Sequence, residues 1–277
     1  KNSDLTISKI RGTIALKTES TDSELDNMSG DINLSTKGGN ISTNKLSGNL
    51  ELAVISGDIN IFDCNANAVT TIDNGNILIN GMKGNLKSYT TLGESLITNF
   101  EGENCVFNIN VGNLKVNECN SNLNANIDIG SISINNLQGS VSLFTGKGEI
   151  NLNNIIGGVN CNTNFGNVNG SNLFGRVNAN SELGDIVINK GYNSFLNDHS
   201  INLITQRGSI TIRLPSELPY AINSQCNNLE TRSAISSEIP LEEEFLAAKV
   251  IAQGKIKEGT ISCNLSSNYG PISIYTN

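Results

Sequence analysis

The chain has 277 residues, a net charge of −8, only 16% charged and 5% aromatic residues, and no Trp. Its 18 Lys and Arg are scattered, which excludes the clustered basic stripe of a phosphate-backbone binder, so no nucleic-acid partner is expected. No apolar run approaches the roughly 20 residues of a membrane span, so no membrane span is expected either.

Asn occurs 46 times and, with Gly, Ser and Thr, supplies turns and stackable polar surfaces. From Gly30 onward, glycine recurs at every ninth position, through Gly39, Gly48 and Gly57 and on to Gly184. There is one extra residue near Gly102, and Ala66 and Ser121 fill two places where glycine is skipped. Two kinds of nonad alternate. One reads GNILINGMK (75–83) and GSISINNLQ (130–138); the other reads GNLKSYTTL (84–92) and GSVSLFTGK (139–147). The true repeat is therefore a pair of nonads, about 18 residues long.

Apolar residues occupy the third and fifth places of most nonads, as at Ile77 and Ile79 or Ile150 and Leu152. That period of two predicts strands with one buried face. The first kind is apolar at its eighth place too, as at Leu46, Met82, Phe100 and Leu137, so the chain there turns and points inward again. One coil thus holds two short strands and two corners, and a coil buries its apolar side only by stacking. The expected fold class is all-β: a parallel β-solenoid (β-helix) of about 18 residues per coil, right-handed, with a C-terminal cap. Residues 1–192 form the repeat region, and residues 193–277 form the final coils and cap. The sixth place of the first kind carries Asn44, Asn80, Asn117, Asn135, Asn153 and Asn189, a candidate structural amide ladder. The other reading of that row is a flat polar stripe for a polymer.

Past Lys190 the rhythm breaks. HSINLITQRGSITIRLPSELPYAIN continues as strands, with Pro215 and Pro219 marking turns or an edge. PLEEEFLAAKVIAQGKI (240–256) reads equally as a short helix, opened by Pro240 and three acids, or as a strand pair. GTISCNLSSNYGPISIYTN (259–277) returns to strands.

GDIVIN, GSITIRLPSELPYAIN, SAISSE and the closing YGPISIYTN together resemble the DUF4097 family of adhesin-like β-helix proteins, a group related to head domains of autotransporter adhesins. The resemblance covers most of the chain. It implies the solenoid fold and an adhesin-like role, and it supplies no catalytic residues. The Asn richness, Ser in place of Asp in the C-terminal copies, and the 240–256 segment depart from the family pattern.

Catalysis finds little footing. A glycosidase needs two carboxylates about 5 to 9.5 Å apart. Asp58, Glu94, Glu149 and Asp185 share one exposed place but lie two or three coils apart, at least about 9.6 Å. The single His, His199, is expected at the surface of a turn, with no Ser or Cys nucleophile singled out beside it. A tri-histidine metal site is impossible. The calcium-roll motif fails because doubled Gly and Asp are missing from most copies. No cofactor, metal or catalytic residue is expected. Cys64, Cys105, Cys119 and Cys161 read as small core residues, while Cys226 and Cys263 in the cap are left open to pair or stay free.

The leading expectation is a non-enzymatic, extracellular or cell-surface module that presents repetitive polar faces to a glycan or another surface polymer. The alternative is a structural protein that forms a homo-oligomer or filament through solenoid ends or edges. A carbohydrate-active enzyme is a distant third.

Overall fold

The computed structural model describes residues 3–227, 234–246 and 249–277. The chain divides into two compact units, Lys1–Gln138 and Gly139–Asn277. Both are made of β-strands, and no helix occurs among the described residues. The boundary read at residue 192 falls inside the second unit.

The first unit is a parallel β-solenoid. Its strands pair with the copies one repeat on: Ile32 with Leu50, Leu50 with Ala68, and Ala68 with Leu86. The one longer step pairs Leu86 with Cys105, across the extra residue near Gly102. That residue is absorbed as a bulge, marked by a register shift between Asn120 and Asn122 on the neighbouring strand. The alternation fills the core as the pattern requires. Ile41, Thr43, Leu46, Leu50, Leu52 and Val54, at successive inward places of one coil, are all buried. The second nonad kind turns its seventh place inward, where the first kind uses its eighth.

That difference has a backbone cause. The seventh residue of the first kind lies in the left-handed region, from Lys9, Asn27 and Lys45 to Glu118 and Asn136. One residue in that region flips the side-chain phase, so the eighth place faces the core again. Asn and Asp recur there because they tolerate this region better than other residues with a side chain. The glycines serve the corners where nonads of both kinds open, as at Gly48 and Gly57. At Gly93, φ is 147°, and a Cβ would overlap the carbonyl oxygen of Gly75 one coil below. Strand spacing of about 4.8 Å leaves no room for it.

The second unit begins as the same solenoid. Val141 pairs with Val159 and Val159 with Val177, again one repeat on at each step. Val177 then pairs with Ile201, a longer step, because residues 191–200 leave the coil as a loop. The chain ends in a different strand order within the same sheet. Strand Ile201–Arg207 pairs with Ile261–Ser267, which pairs in parallel with Tyr220–Cys226. Tyr220–Cys226 pairs antiparallel with Lys249–Lys255, and that strand with Leu241–Leu246.

Segment 240–256 is therefore a strand pair, the second of the two readings. Val250 and Ala252 alternate inward and are buried, while Glu242, Glu243 and Glu244 are exposed. Proline followed by acids is a helix opening, but it is also how an edge strand is kept from pairing further. Ser233 of the SAISSE motif and Ala247 and Ala248 of this segment lie outside the described residues.

All six cysteines are free and buried. Cys226 and Cys263 sit on adjacent strands but out of register, since Cys263 pairs with Ile222 and Cys226 with Ser267. The Cys226 thiol donates instead to the Gly270 carbonyl at 3.2 Å. Burial pushes the Cys161 thiol up to about 12, which keeps it protonated and inert.

Candidate functional site

The corners carry the polar chemistry. At the second place of the first nonad kind, a side-chain oxygen accepts the backbone N–H of the coil above. Asn40 N donates to Asp22 Oδ1 at 2.6 Å, Asp58 N to Asn40 Oδ1 at 2.8 Å, and Asn76 N to Asp58 Oδ1 at 2.7 Å. Glu94 N donates to Asn76 Oδ1 at 2.9 Å, and Ser131 N to Asn113 Oδ1 at 2.8 Å. In the second unit, Asp185 Oδ1 accepts from Ser209 N at 2.6 Å and from its hydroxyl at 2.9 Å. Asp and Asn interchange because either supplies the oxygen. Asp58, Glu94 and Asp185 are thus corner residues, with Glu94 Oε1 held by Asn113 Nδ2 at 3.1 Å.

The sixth-place row is mixed. Asn135 Nδ2 donates to Asn117 Oδ1 at 3.2 Å, a true rung. Asn44 Nδ2 donates to Asp26 Oδ1 at 2.8 Å, but Phe62 follows in register, between Asn44 and Asn80. Asn80 Oδ1 accepts from Asn99 Nδ2 at 3.0 Å, and Thr98 stands between Asn80 and Asn117. In the second unit, Ser171 stands between Asn153 and Asn189, and Asn189 Oδ1 accepts from Asn277 Nδ2 at 3.2 Å. Longer amide rows occur at other places. In the second unit, Asn178 Nδ2 bonds Asn160 Oδ1 and Asn202 Nδ2 bonds Asn178 Oδ1, both at 2.9 Å.

The row that borders a concave surface belongs to the second nonad kind of the first unit. Asp31, Asn49, Asn67, Asn85 and Asn104 stack at its second place. With the fourth-place residues Asn33, Glu51, Val69, Lys87 and Val106 they enclose a groove of about 780 Å³. It crosses the strands and runs along the stacking direction, from Thr13 to Val106. Asn85 N donates to Asn67 Oδ1 and Asn104 N to Asn85 Oδ1, each at 3.0 Å. These bonds fix both carboxamides and leave the Nδ2 groups of Asn67, Asn85 and Asn104 without a partner among the described residues, one per coil. At the acidic end Asn49 Nδ2 is taken by Asp31 Oδ1 at 2.8 Å, and Asn33 Nδ2 by Glu51 Oε2 at 2.7 Å. Val69 is 39% exposed on the wall, and Lys87 Nζ lies 5.2 Å from the centroid of the Tyr89 ring. The sequence signal for this row is the Asn at the second place of the second nonad kind, a place distinct from the sixth-place ladder.

A second feature is the loop that leaves the second unit at residues 191–200. His199 is 5% exposed, contrary to the surface position expected of a lone turn histidine. The loop folds back over the coil below, Tyr220 Oη donates to the His199 carbonyl at 3.2 Å, and the ring meets Tyr192 at 5.7 Å between centroids. Its Nδ1 has no hydrogen-bond partner among the described residues. Burial and the nearby Lys190 charge push the imidazole below its ordinary value, against the Phe174 and Leu196 carbonyls. Lys190 is 1% exposed and donates to the carbonyls of Leu173 at 2.9 Å, Phe174 at 2.8 Å and Gly191 at 3.0 Å. It takes the inward place that Leu173 holds one coil below. Burial pushes its ammonium down to about 7, with Asp198 acting the other way. The loop so anchored carries Phe195 at 92% exposure.

Among the described residues no cluster of three His, Cys, Asp or Glu side chains converges to hold a metal. No helix of the described residues is long and apolar enough to cross a membrane. No family profile, no curated protein and no solved structure matches the chain.

Proposed function

We propose that the chain is a non-enzymatic, adhesin-like module of the cell surface or extracellular space that binds a polymer through its repeated polar rows. The observation that carries this reading is the row of Nδ2 donors of Asn67, Asn85 and Asn104, repeated once per coil along an open groove. A rigid stack spaces identical donors evenly, and a chain ligand with its own repeat meets many of them at once. Each contact is weak, and their number supplies the affinity. The carboxylates at the shared exposed place support the non-enzymatic reading, because Asp58, Glu94 and Asp185 are engaged in corner bonds. A polysaccharide and glycan array, with the particle mass followed by light scattering in the same buffer, tests it. Retention of a polymer by the monomer is the expected result.

Self-association is a second reading, favoured by Phe195. A ring 92% exposed on a loop braced by Lys190 and Tyr220 is a preorganised anchor of the kind found at protein contacts. Concentration-dependent growth in mass that Phe195→Ser abolishes would move the weight to it.

A further inference from the structure

We infer that the groove of the first unit takes an uncharged, flat-ribbon glycan of the β-1,4-linked hexopyranose type, lying along the stacking direction with one sugar per coil. This rests on the polymer-binding reading above and names its ligand.

Three observations select that chemistry. The first is pitch. The outward donors repeat once per coil, at about 4.8 Å. An extended β-1,4 pyranose chain advances one sugar in about one coil and, although successive sugars turn over, each carries hydroxyls on both edges, so over the three donor coils each sugar in turn offers an acceptor to an amide. An extended peptide presents same-side groups at about 6.7 Å and loses register within two coils. The second is charge. Asp31 and Glu51 sit at one end of the groove against Lys87 further along. Uronate, sulfate or phosphate polymers would meet two carboxylates and one ammonium, in a chain of net charge −8. The third is the mixed lining. The fourth-place wall runs Asn33, Glu51, Val69, Lys87 and Val106, so both valines lie along the stretch with the open amides, while the second place supplies amide N–H groups. A pyranose ribbon has matching parts: C–H faces for the valines and edge hydroxyls that accept from Nδ2. Six coils line the groove, from Thr13 to Asn104, so affinity should climb with each added sugar until the groove is full.

The structure itself supplies the discriminating variant. Asp58 accepts the N–H of Asn76 from the corner place equivalent to those of Asn67 and Asn85 in the other nonad kind. Asn67→Asp with Asn85→Asp therefore keeps the oxygen each corner needs and replaces the outward N–H donor with a charged carboxylate oxygen that only accepts. Cello- and chito-oligosaccharides of two to six sugars are titrated into the full chain by calorimetry. The expected result is affinity rising with length, and a hexasaccharide bound about tenfold more weakly by the double variant, as expected for two lost hydrogen bonds. Val69→Arg, at an exposed wall position, is the second variant and should block the groove with an unchanged circular dichroism spectrum. Affinity independent of length, hexasaccharide binding untouched by both variants, or binding confined to acidic polymers would overturn this inference while leaving the polymer-binding reading standing. Failure to bind any saccharide on the array would overturn both.

Discussion

Gly157 and Gly158 are neighbours in one corner of the second unit, yet the fold asks different things of them. Gly157 has φ of 154°, and a Cβ there would run into the carbonyl oxygen and carbon of Gly139 in the coil below. Both obstacles are backbone, so no side chain can move aside. Gly158 has ordinary backbone, and its Cβ would find only Ser140 Oγ at 3.5 Å. Gly157→Ala combines an unfavourable φ, worth about 1–3 kcal/mol, with overpacking worth about as much again, so a loss of about 4 kcal/mol is expected. Gly158→Ala should change stability by no more than about 0.5 kcal/mol, or raise it slightly by restricting the unfolded chain. Urea unfolding followed by far-UV circular dichroism reads both. Amide exchange of the flanking strands shows whether the Gly157→Ala coils open locally, as one-dimensional repeat stacks do. Losses that agree within about 1 kcal/mol would refute the stacking argument, because the two positions share a corner and a degree of exposure and differ in what lies one coil below.

Other outcomes follow from the same geometry. Lys190 binds its proton less tightly in the folded chain than in the unfolded one, so stability should rise with pH from about 7 toward the ordinary lysine value of about 10.4 and fall as pH drops through that window. The slope should flatten in Lys190→Met, which should itself lose about 2–4 kcal/mol at neutral pH by removing charge-assisted bonds to buried carbonyls; pH-dependent urea midpoints check both. Thr70 is fully buried, and its hydroxyl has no partner among the described residues. Thr70→Val should therefore stabilise the chain by about 1 kcal/mol, measured by the same unfolding curves. All six thiols should resist an aromatic disulfide reagent in the native state and all should react after unfolding without reductant; fewer than six would reveal a disulfide.

The period of two and the doubled-nonad spacing made the strands and most inward places legible, because a buried alternating face leaves few substitutions. Leu50, Leu52 and Val54 are core for the reason their spacing states. The corner rows were harder to read. Asp22, Asn40, Asp58 and Asn76 do one job with two residue types, so identity hides a ladder that function shares. The left-handed seventh place was hidden in the same way, since Lys45 and Glu118 occupy it beside Asn27 and Asn136. The burial of His199 had no local signal, because it depends on where the 191–200 loop lands against Phe174 and Tyr220. The groove was illegible for a similar reason: it is a concavity summed over six coils, and no single nonad contains it.

The most direct test of the account is binding of the purified chain to a broad polysaccharide and glycan array, with its mass recorded by light scattering in the same buffer. The account predicts a monomer that retains a neutral polymer and releases it when Asn67→Asp and Asn85→Asp are combined. A chain that retains no polymer and instead grows into oligomers or filaments would contradict it.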